Sequence, residues 1–426
     1  PFELGMTIDK ALATSPELAE MYESDVETRE VIDMAKAIEG MPRHASTHAA
    51  GVVISKAPID EYVPLYLSDK GPATQFTMTT IEELGLLKMD FLGLRNLTVI
   101  RDALEMIEKN HGVKIDFAKM DYDDPGVYEM IAAGNTGGVF QLESGGMRDF
   151  IKELKPRSLE DIIAGISLFR PGPMEQIPRY IRNKNNPDKI TYKHPLLEPI
   201  LNVTYGCIIY QEQVLQIVQS LAGYPLGRAD LLRRAMSKKK HDVMEKERQF
   251  FIYGQKDEDG NTILDGAIAR GVSERVAASI FDEILDFASY AFNKSHAAAY
   301  AIIAYQTAYL KYYYTPEYMA ALLSSMMSNT TKTVEYITDC EARQIDLLPP
   351  DVNKSYYRFT VEDGKIRFGL EAVKNVGHKL LVEIAQEREA KGEFKTFTNF
   401  LERMSGTELN KRSLESLIKC GAFDSL

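Results

Sequence analysis

Gly85-Leu86-Leu87-Lys88-Met89-Asp90-Phe91-Leu92-Gly93-Leu94 is a short apolar run, punctuated by glycines, with one lysine and one carboxylate two residues apart. Its length and flanks predict a β-strand that sends Lys88 and Asp90 out from one face and buries Leu87, Met89 and Phe91 on the other. A carboxylate beside an ammonium at a strand end suits a metal ion meeting a polyphosphate. Taken alone, such a pair is more commonly a surface ion pair on a half-buried strand, so the rest of the chain has to decide.

Upstream, residues 7 to 40 read as helices separated near Ser15-Pro16 and ended by Gly40. From Met41 the pattern turns to β, with Gly51-Val52-Val53-Ile54-Ser55 as a second strand candidate. Beyond Asn96 the chain is predominantly helical, with helices expected at 97 to 110, 159 to 169, 209 to 222, 273 to 288 and 296 to 314. Arg358-Phe359-Thr360-Val361 and Lys365-Ile366-Arg367-Phe368 flank Asp363-Gly364, a hairpin signal. Leu347-Leu348-Pro349-Pro350-Asp351 is the expected domain boundary, since adjacent prolines stop a helix.

The 426 residues and 45% hydrophobic content allow two to four domains with sizeable cores. No run is long and apolar enough for a membrane helix, and Pro1-Phe2-Glu3-Leu4 has neither part of a signal peptide, so a cytoplasmic protein without a membrane partner is expected. The missing initiating methionine points to a fragment. Cys207, Cys340 and Cys420 match neither a disulfide framework nor a zinc site and read as reduced thiols. The net charge of -12 speaks against nucleic acid as a partner, but residues 225 to 250 hold eight Lys and Arg against four acids, a local basic surface on an acidic body.

That basic segment is Arg233-Arg234-Ala235-Met236-Ser237-Lys238-Lys239-Lys240. Two adjacent guanidiniums reach separate oxygens of a polyphosphate and the lysines attract a nucleic acid backbone; a solvated helix end is the alternative. Arg170 stands before Pro171-Gly172-Pro173, where the prolines fix the chain just after it, and a structural turn is the commoner use of such a motif. In Ala291-Phe292-Asn293-Lys294-Ser295-His296, Ser295 is the expected N-cap of a long alanine- and tyrosine-rich helix whose start, beside Lys294, is an anion site. The helix dipole opposes protonation of His296, which suits an imidazole touching a sugar or base, while a hydrogen-bonded structural histidine is the common alternative. Tyr305, Tyr309, Tyr312 and Tyr313 read as packing. The glycine-rich loop Gly134 to Ser144 has amides that could approach a phosphate. His44 and His48 lack the helix and glutamate of a zinc motif.

Taken in order, Met41-Pro42-Arg43-His44 through Ile54, Lys88 to Leu94, Gly138-Val139-Phe140-Gln141-Leu142-Glu143-Ser144, Phe169-Arg170-Pro171-Gly172-Pro173, Tyr205-Gly206, Tyr210-Gln211-Glu212-Gln213-Val214, Arg233-Arg234-Ala235-Met236 and Phe292 to His296 closely resemble the bacterial C-family replicative DNA polymerases, the family of DNA polymerase III alpha subunits. The resemblance covers essentially the whole chain. It implies a predominantly helical α+β fold: the end of a thumb at 1–43, the second half of a nucleotidyltransferase-type palm at 44–95, a large helical fingers domain at 96–348, and a β-hairpin with a helix-hairpin-helix unit at 349–426.

The resemblance further implies transfer of deoxynucleotides to a primer 3′ end with two magnesium ions. Asp90 matches the third of three metal-binding aspartates, while the Asp-x-Asp pair of the palm is absent; Asp121, Asp123 and Asp124 lie in the wrong place to replace it. The isolated chain is therefore expected to be inactive. Lys88, Arg233 and Arg234 are implied to hold the triphosphate, Arg170 to line the nascent base pair, and Asn293, Lys294, Ser295 and His296 to sit against the sugar and base. Lys238, Lys239 and Lys240, with Lys374, Gly377 and Lys379 of the hairpin Glu371 to Gly377, are implied DNA contacts, and Leu409 to Phe423 reads as a degenerate second hairpin. Asn375 stands where glycine is usual, and asparagine tolerates the left-handed conformation. Primer-template DNA and deoxynucleoside triphosphates are the implied partners, with sliding clamp and proofreading exonuclease engaged through other parts of such a polymerase. A purely DNA-binding module and the error-prone branch of the family are the alternatives.

Overall fold

The computed structural model describes residues 6–41, 45–68, 71–237, 241–288 and 292–426. The chain divides into two compact units, residues 1–93 and 94–426. In the first, side-chain caps open three helices in succession, Thr7 for α1 (Ile8–Thr14), Ser15 for α2 (Pro16–Ser24) and Asp25 for α3 (Val26–Ile38), with Pro16 at the first helical position of α2. The break at Ser15-Pro16 is the expected one; the run after it, expected as a single helix, is broken again at Asp25.

The rest of this unit is a pair of two-stranded ribbons. Strand β1 (Gly51–Ile54) runs antiparallel to β4 (Leu87–Asp90), with Val53 opposite Lys88 and Gly51 opposite Asp90. Between them, β2 (Leu65–Ser68) pairs with β3 (Gly71–Thr74), and α4 (Met78–Glu83) leads back into β4. The strand through Asp90 is present, but the buried face expected for it is not. Leu87, Met89 and Phe91 are 56%, 41% and 65% exposed, as are their cross-strand neighbours Val52 and Ile54 at 49% and 45%. A two-stranded ribbon has no second layer to cover its apolar side, and among the described residues of this unit nothing packs over it.

The second unit begins with α5 (Arg95–His111), α6 (Pro125–Ala132), α7 (Gly145–Leu154), α8 (Leu159–Leu168), α9 (Ile177–Asn185), α10 (Glu198–Leu201) and α11 (Gln211–Ala222). It continues through α12 (Leu226–Ser237), α13 (His241–Tyr253), the small hairpin β5 (Gln255–Lys256) and β6 (Thr262–Leu264), and α14 (Glu274–Ala288). Next come α15 (Lys294–Tyr313), α16 (Thr315–Ser325) and α17 (Thr330–Ala342), the strands β7 (Leu347–Leu348), β8 (Thr360–Glu362) and β9 (Lys365–Arg367), and finally α18 (His378–Lys391), α19 (Phe397–Arg403) and α20 (Lys411–Lys419). The fold is predominantly helical with small sheets. Among the described residues no helix is long and apolar enough to cross a membrane.

Four cores hold this unit. The first is built around α15, whose Ala297, Ala301, Ala304 and Ala308 are fully buried at helical spacing against α8, where Ile162, Ile163 and Ile166 are buried. Small side chains on one helix and branched ones on the other let the two backbones approach closely. The second core joins α11 to α14, and the third joins α5, α16 and α17 to Phe359 and Ile366 of the C-terminal sheet.

In that sheet β8 and β9 form the expected hairpin, with Asp363 and Gly364 at φ 51° and 76°, the left-handed pair that a tight two-residue turn demands. Strand β7 joins it in parallel, Leu347 opposite Ile366, so the sheet bridges Pro349-Pro350. The fourth core, Val352 with α18, α19 and α20, lies beyond the hairpin. All three cysteines are free, and burial pushes the thiols of Cys207 and Cys340 up to about 11 and about 12.

Candidate functional site

In the first unit, Lys88 and Asp90 do emerge on one face of β4, and Lys88 Nζ donates to Asp90 Oδ1 at 2.7 Å. That hydrogen bond holds the Asp90 carboxyl below its ordinary value, with partial desolvation opposing and His48, 3.9 Å away, adding a smaller pull. Asp90 remains 41% exposed while the lysine side chain is only 13% exposed. The pair is therefore a solvent-facing carboxylate backed by a lysine. Among the described residues no three His, Cys, Asp or Glu side chains gather around a point; His44 lies outside them.

In the second unit, several helix ends meet. Buried Gln213 opens α11 by accepting from the N–H groups of Ile209 and Tyr210 at 2.9 and 3.0 Å. The N–H of Gln211 then donates to the carbonyl of Phe292 at 2.9 Å, joining the start of α11 to the segment that enters α15. Arg170, two residues past α8, lays its guanidinium 3.4 Å from the centre of the Phe292 ring. Among the described residues no carboxylate pairs with Arg170, and partial burial lowers its pKa from the ordinary arginine value. Gly172 and Pro173, just after it, line a cleft of about 1010 Å³ whose wall cations Arg179 and Lys193 are both taken by Glu283.

The helix start at 293–296 is built differently from expectation. The N-cap is Asn293, not Ser295: its Oδ1 accepts from the N–H of His296 at 2.8 Å, and Ser295 lies inside the first turn. The expected anion site is occupied by the protein itself. Glu212 accepts from the N–H of Lys294 at 3.1 Å and from Asn293 Nδ2 at 3.0 Å, placing a carboxylate where the helix dipole favours one. The Lys294 ammonium pairs with Glu160 at 3.0 Å and lies 5.3 Å from the centre of the Tyr210 ring. Ser295 and His296 are exposed. Asn293 and Lys294 thus tie the helix start down, and Ser295 and His296 are the side chains left facing outward.

Arg233 and Arg234, on α12, share one carboxylate. Asp230 Oδ1 accepts from Arg233 Nε at 2.9 Å and Oδ2 from Arg234 Nε at 2.8 Å, and the Arg233 hydrogen bond is the largest cause of the lowered Asp230 pKa. Arg233 also reaches Gln211 at 3.5 Å, so this pair adjoins the start of α11. Lys238, Lys239 and Lys240 lie outside the described residues.

The glycine-rich loop is a correction. Residues 136–139 are buried, the Gly138 carbonyl accepts from Tyr318 Oη at 2.6 Å, and the Gly137 carbonyl from the ammonium of Lys311, a fully buried side chain. With its backbone turned to α15 and α16, this loop is not a phosphate cradle. Tyr305 is buried and donates its ring to the first core, as read; Tyr309, Tyr312 and Tyr313 pack on one another at its far end. Asp124 caps α6 and accepts from Tyr313 Oη.

In the C-terminal region the limb before the first hairpin is one 3-10 turn, Leu370–Ala372, and not an α-helix. Asn375 adopts φ 66° and donates to Ser416 Oγ at 3.2 Å, while Gly377, the N-cap of α18, has an ordinary φ of -82°. The residue with left-handed geometry is therefore the asparagine. Lys374 is exposed, and Lys379 pairs at 2.5 Å with Glu408, the residue just before the second hairpin.

Glu160 and Glu212 act on partners from another element, which no local pattern reveals, whereas Asp230 stands three and four residues before Arg233 and Arg234, the helical ion-pair spacing that could have found it. Relatives among known proteins align along nearly the whole chain. Residues 1–93 match the bacterial DNA polymerase III alpha NTPase domain, 96–259 the bacterial DNA polymerase III alpha subunit finger domain, and 344–426 a helix-hairpin-helix motif. The chain is 48% identical over 424 residues to the DNA polymerase III subunit alpha of Thermus aquaticus, covering 98% of this chain and 34% of that protein. It is 44% identical over 425 residues to the protein of the same name from Bacillus subtilis, covering 100% of this chain and 37% of the relative. For Staphylococcus aureus strain NCTC 8325 the figures are 43% over 425 residues, 100% and 39%. The chain thus spans little more than a third of the length of these relatives.

Proposed function

We propose, since this chain belongs to the family of bacterial DNA polymerase III alpha subunits, that it supplies the nucleotide-handling fingers and one catalytic carboxylate of a replicative, cytoplasmic DNA-directed DNA polymerase. The observation that carries this reading is the meeting of Arg170, Arg233 and His296 around the starts of α11 and α15, with the Arg170 guanidinium free of any carboxylate among the described residues. Cations there neutralise the charge that grows on a leaving pyrophosphate.

Each residue has a distinct part. Arg233 and Arg234, held side by side by Asp230, bind the triphosphate of a deoxynucleotide; Arg170 lines the nascent base pair; Ser295 and His296 face its sugar. Asn293 and Lys294 orient that helix start through Glu212 and Glu160. Lys88 backs Asp90 and adds charge for the phosphates. Lys374 and the loop of Asn375 and Gly377 hold duplex DNA by its backbone, without reading sequence.

Magnesium is the cofactor of this reading. Asp90 fits as one oxygen ligand, ionised and solvent-facing, but the described residues contain no group of three that would complete a site. Asp90 would hold one such ion, and the chemistry supplied there would be Lewis-acid polarisation of phosphate and hydroxyl oxygens. What Asp90 itself does is to present an ionised carboxylate at neutral pH.

The test is primer extension. The purified chain, with one such carboxylate, gives no extension above a control without enzyme, and Asp90→Asn in a complete polymerase polypeptide abolishes incorporation while primer-template affinity stays within about twofold. Extension by the chain alone overturns the first expectation. A large loss of DNA affinity in the variant makes Asp90 structural and favours a module that only binds DNA.

A further inference from the structure

Five side chains form a continuous row from the strap after α8 to the glycine-rich loop. After Arg170 and Phe292, the Phe292 ring stands edge-on to His296 with centroids 5.4 Å apart, His296 lies at 34° to Tyr300 at 4.2 Å, and Tyr300 meets Phe140 at 5.1 Å. Among the described residues neither ring nitrogen of His296 has a hydrogen-bond or ion-pair partner; its backbone N–H donates to Asn293 Oδ1. Nothing polar therefore sets the rotamer of this exposed imidazole. Its aromatic neighbours do, and centroid separations of this size are those at which ring pairs attract.

The far end of the row is fixed with unusual thoroughness. His296, Tyr300, Thr307 and Lys311 follow at intervals of four, seven and four residues, which places them on one face of α15. Thr307 Oγ1 accepts from the N–H of Phe140 at 3.1 Å, and Lys311 holds the Gly137 carbonyl while pairing with Asp339 at 2.8 Å. Burial lowers the pKa of Lys311 and Asp339 offsets it. Enclosing an ammonium is costly unless it is paired and hydrogen-bonded, and here its partners clamp the loop that carries Phe140. Gly138, at φ 71°, packs against Leu322, which keeps the loop close to α16.

We infer that Tyr300 and Phe140 are positioning residues for His296, and that the glycine-rich loop serves as the backstop of this stack. The loop holds Phe140, Phe140 supports Tyr300, and Tyr300 fixes the plane in which the His296 imidazole meets the sugar of an incoming nucleotide. Neither Tyr300 nor Phe140 touches the nucleotide in this account. The inference rests on the reading of His296 given above, so its test must separate the two.

The experiment measures the preference for deoxyribonucleotides over ribonucleotides, as a ratio of kcat/KM values, in a complete polymerase polypeptide carrying these residues. Tyr300→Leu and Phe140→Leu each lower the ratio about fivefold, Tyr300→Phe keeps it within about twofold, and His296→Ala lowers it at least as far as Tyr300→Leu. In the double variant His296→Ala/Tyr300→Leu the second change adds nothing, because a positioning residue has no effect once its client is gone. A general loss of structure would add to the first loss and would not be rescued by Tyr300→Phe. If His296→Ala alone leaves the ratio unchanged, the sugar contact fails and the inference falls with it. If His296→Ala lowers the ratio but both leucine variants match the native enzyme, the sugar contact stands and the positioning role is overturned. A ring-proton NMR shift of His296 in this chain that is the same in Tyr300→Leu as in the native sequence also overturns it, independently of activity.

Discussion

Glu212 accepts a hydrogen bond from the backbone N–H of Lys294 at 3.1 Å, across 82 residues of sequence. The contact puts a carboxylate on the positive end of a 20-residue helix and binds the starts of α11 and α15 together. Glu212→Ala is therefore expected to destabilise the second unit by about 1–2 kcal/mol, in the range of a lost cap and charge-assisted hydrogen bonds. Glu212→Gln, which keeps an acceptor but no charge, loses less. Urea denaturation of both variants checks the order; equal stability of all three sequences sinks it.

The Lys88 hydrogen bond is the main reason that Asp90 ionises more readily than an ordinary aspartate. Lys88→Met should move the Asp90 carboxyl pKa upward, read by carboxyl-carbon NMR against pH. The sign follows from linkage: with its folded pKa depressed, Asp90 contributes stability above its unfolded pKa, and this fades as pH falls through the folded value. An unmoved titration in the variant assigns the depression to another group.

Asp230 holds Arg233 and Arg234 on one side of α12. Replacing it with alanine leaves two long cations without a common anchor, and the apparent nucleotide KM of a complete polymerase should rise about threefold to tenfold. A fall in KM would show that Asp230 competes with the triphosphate for these arginines.

The hairpins at the C-terminal end are tied to each other by Asn375 to Ser416 and Lys379 to Glu408. Removing residues 369–426 takes away α18 to α20 and leaves β7, β8 and β9 intact. Duplex DNA affinity should fall and its dependence on salt become shallower, since lost phosphate contacts release fewer counterions. Equal affinity and equal salt slope in both chains would assign the segment to packing.

Local signals were legible wherever the chemistry was local. Ser15-Pro16 announces the start of α2, and Asp363-Gly364 announces its turn, because cap and turn geometry involve only near neighbours. Asn293 and Ser295 are both good caps, and the choice between them is made by Glu212, which no local pattern reveals. The glycines from 134 to 138 look like a phosphate loop until the buried Lys311, some 174 residues away, claims the carbonyl of Gly137. Alternation correctly put Lys88 and Asp90 on one face of β4 but could not say whether anything covers the other.

The sheet that bridges Pro349-Pro350 bears on how such chains can be recombined. Two prolines in a row invite a junction for chimeras, yet Leu347 and Leu348, before them, form ladder partners with Ile366 and Arg367, after them, and Arg367 donates to the Pro349 carbonyl at 3.0 Å. A crossover placed there would ask two parental sequences to agree on strand register and on a buried guanidinium. A crossover after Arg367, between β9 and the 3-10 turn at Leu370, keeps that ladder within one parent, but Val352 must then pack on α18 to α20 of the other and the carbonyls of Val352 and Ser355 must still receive Arg388.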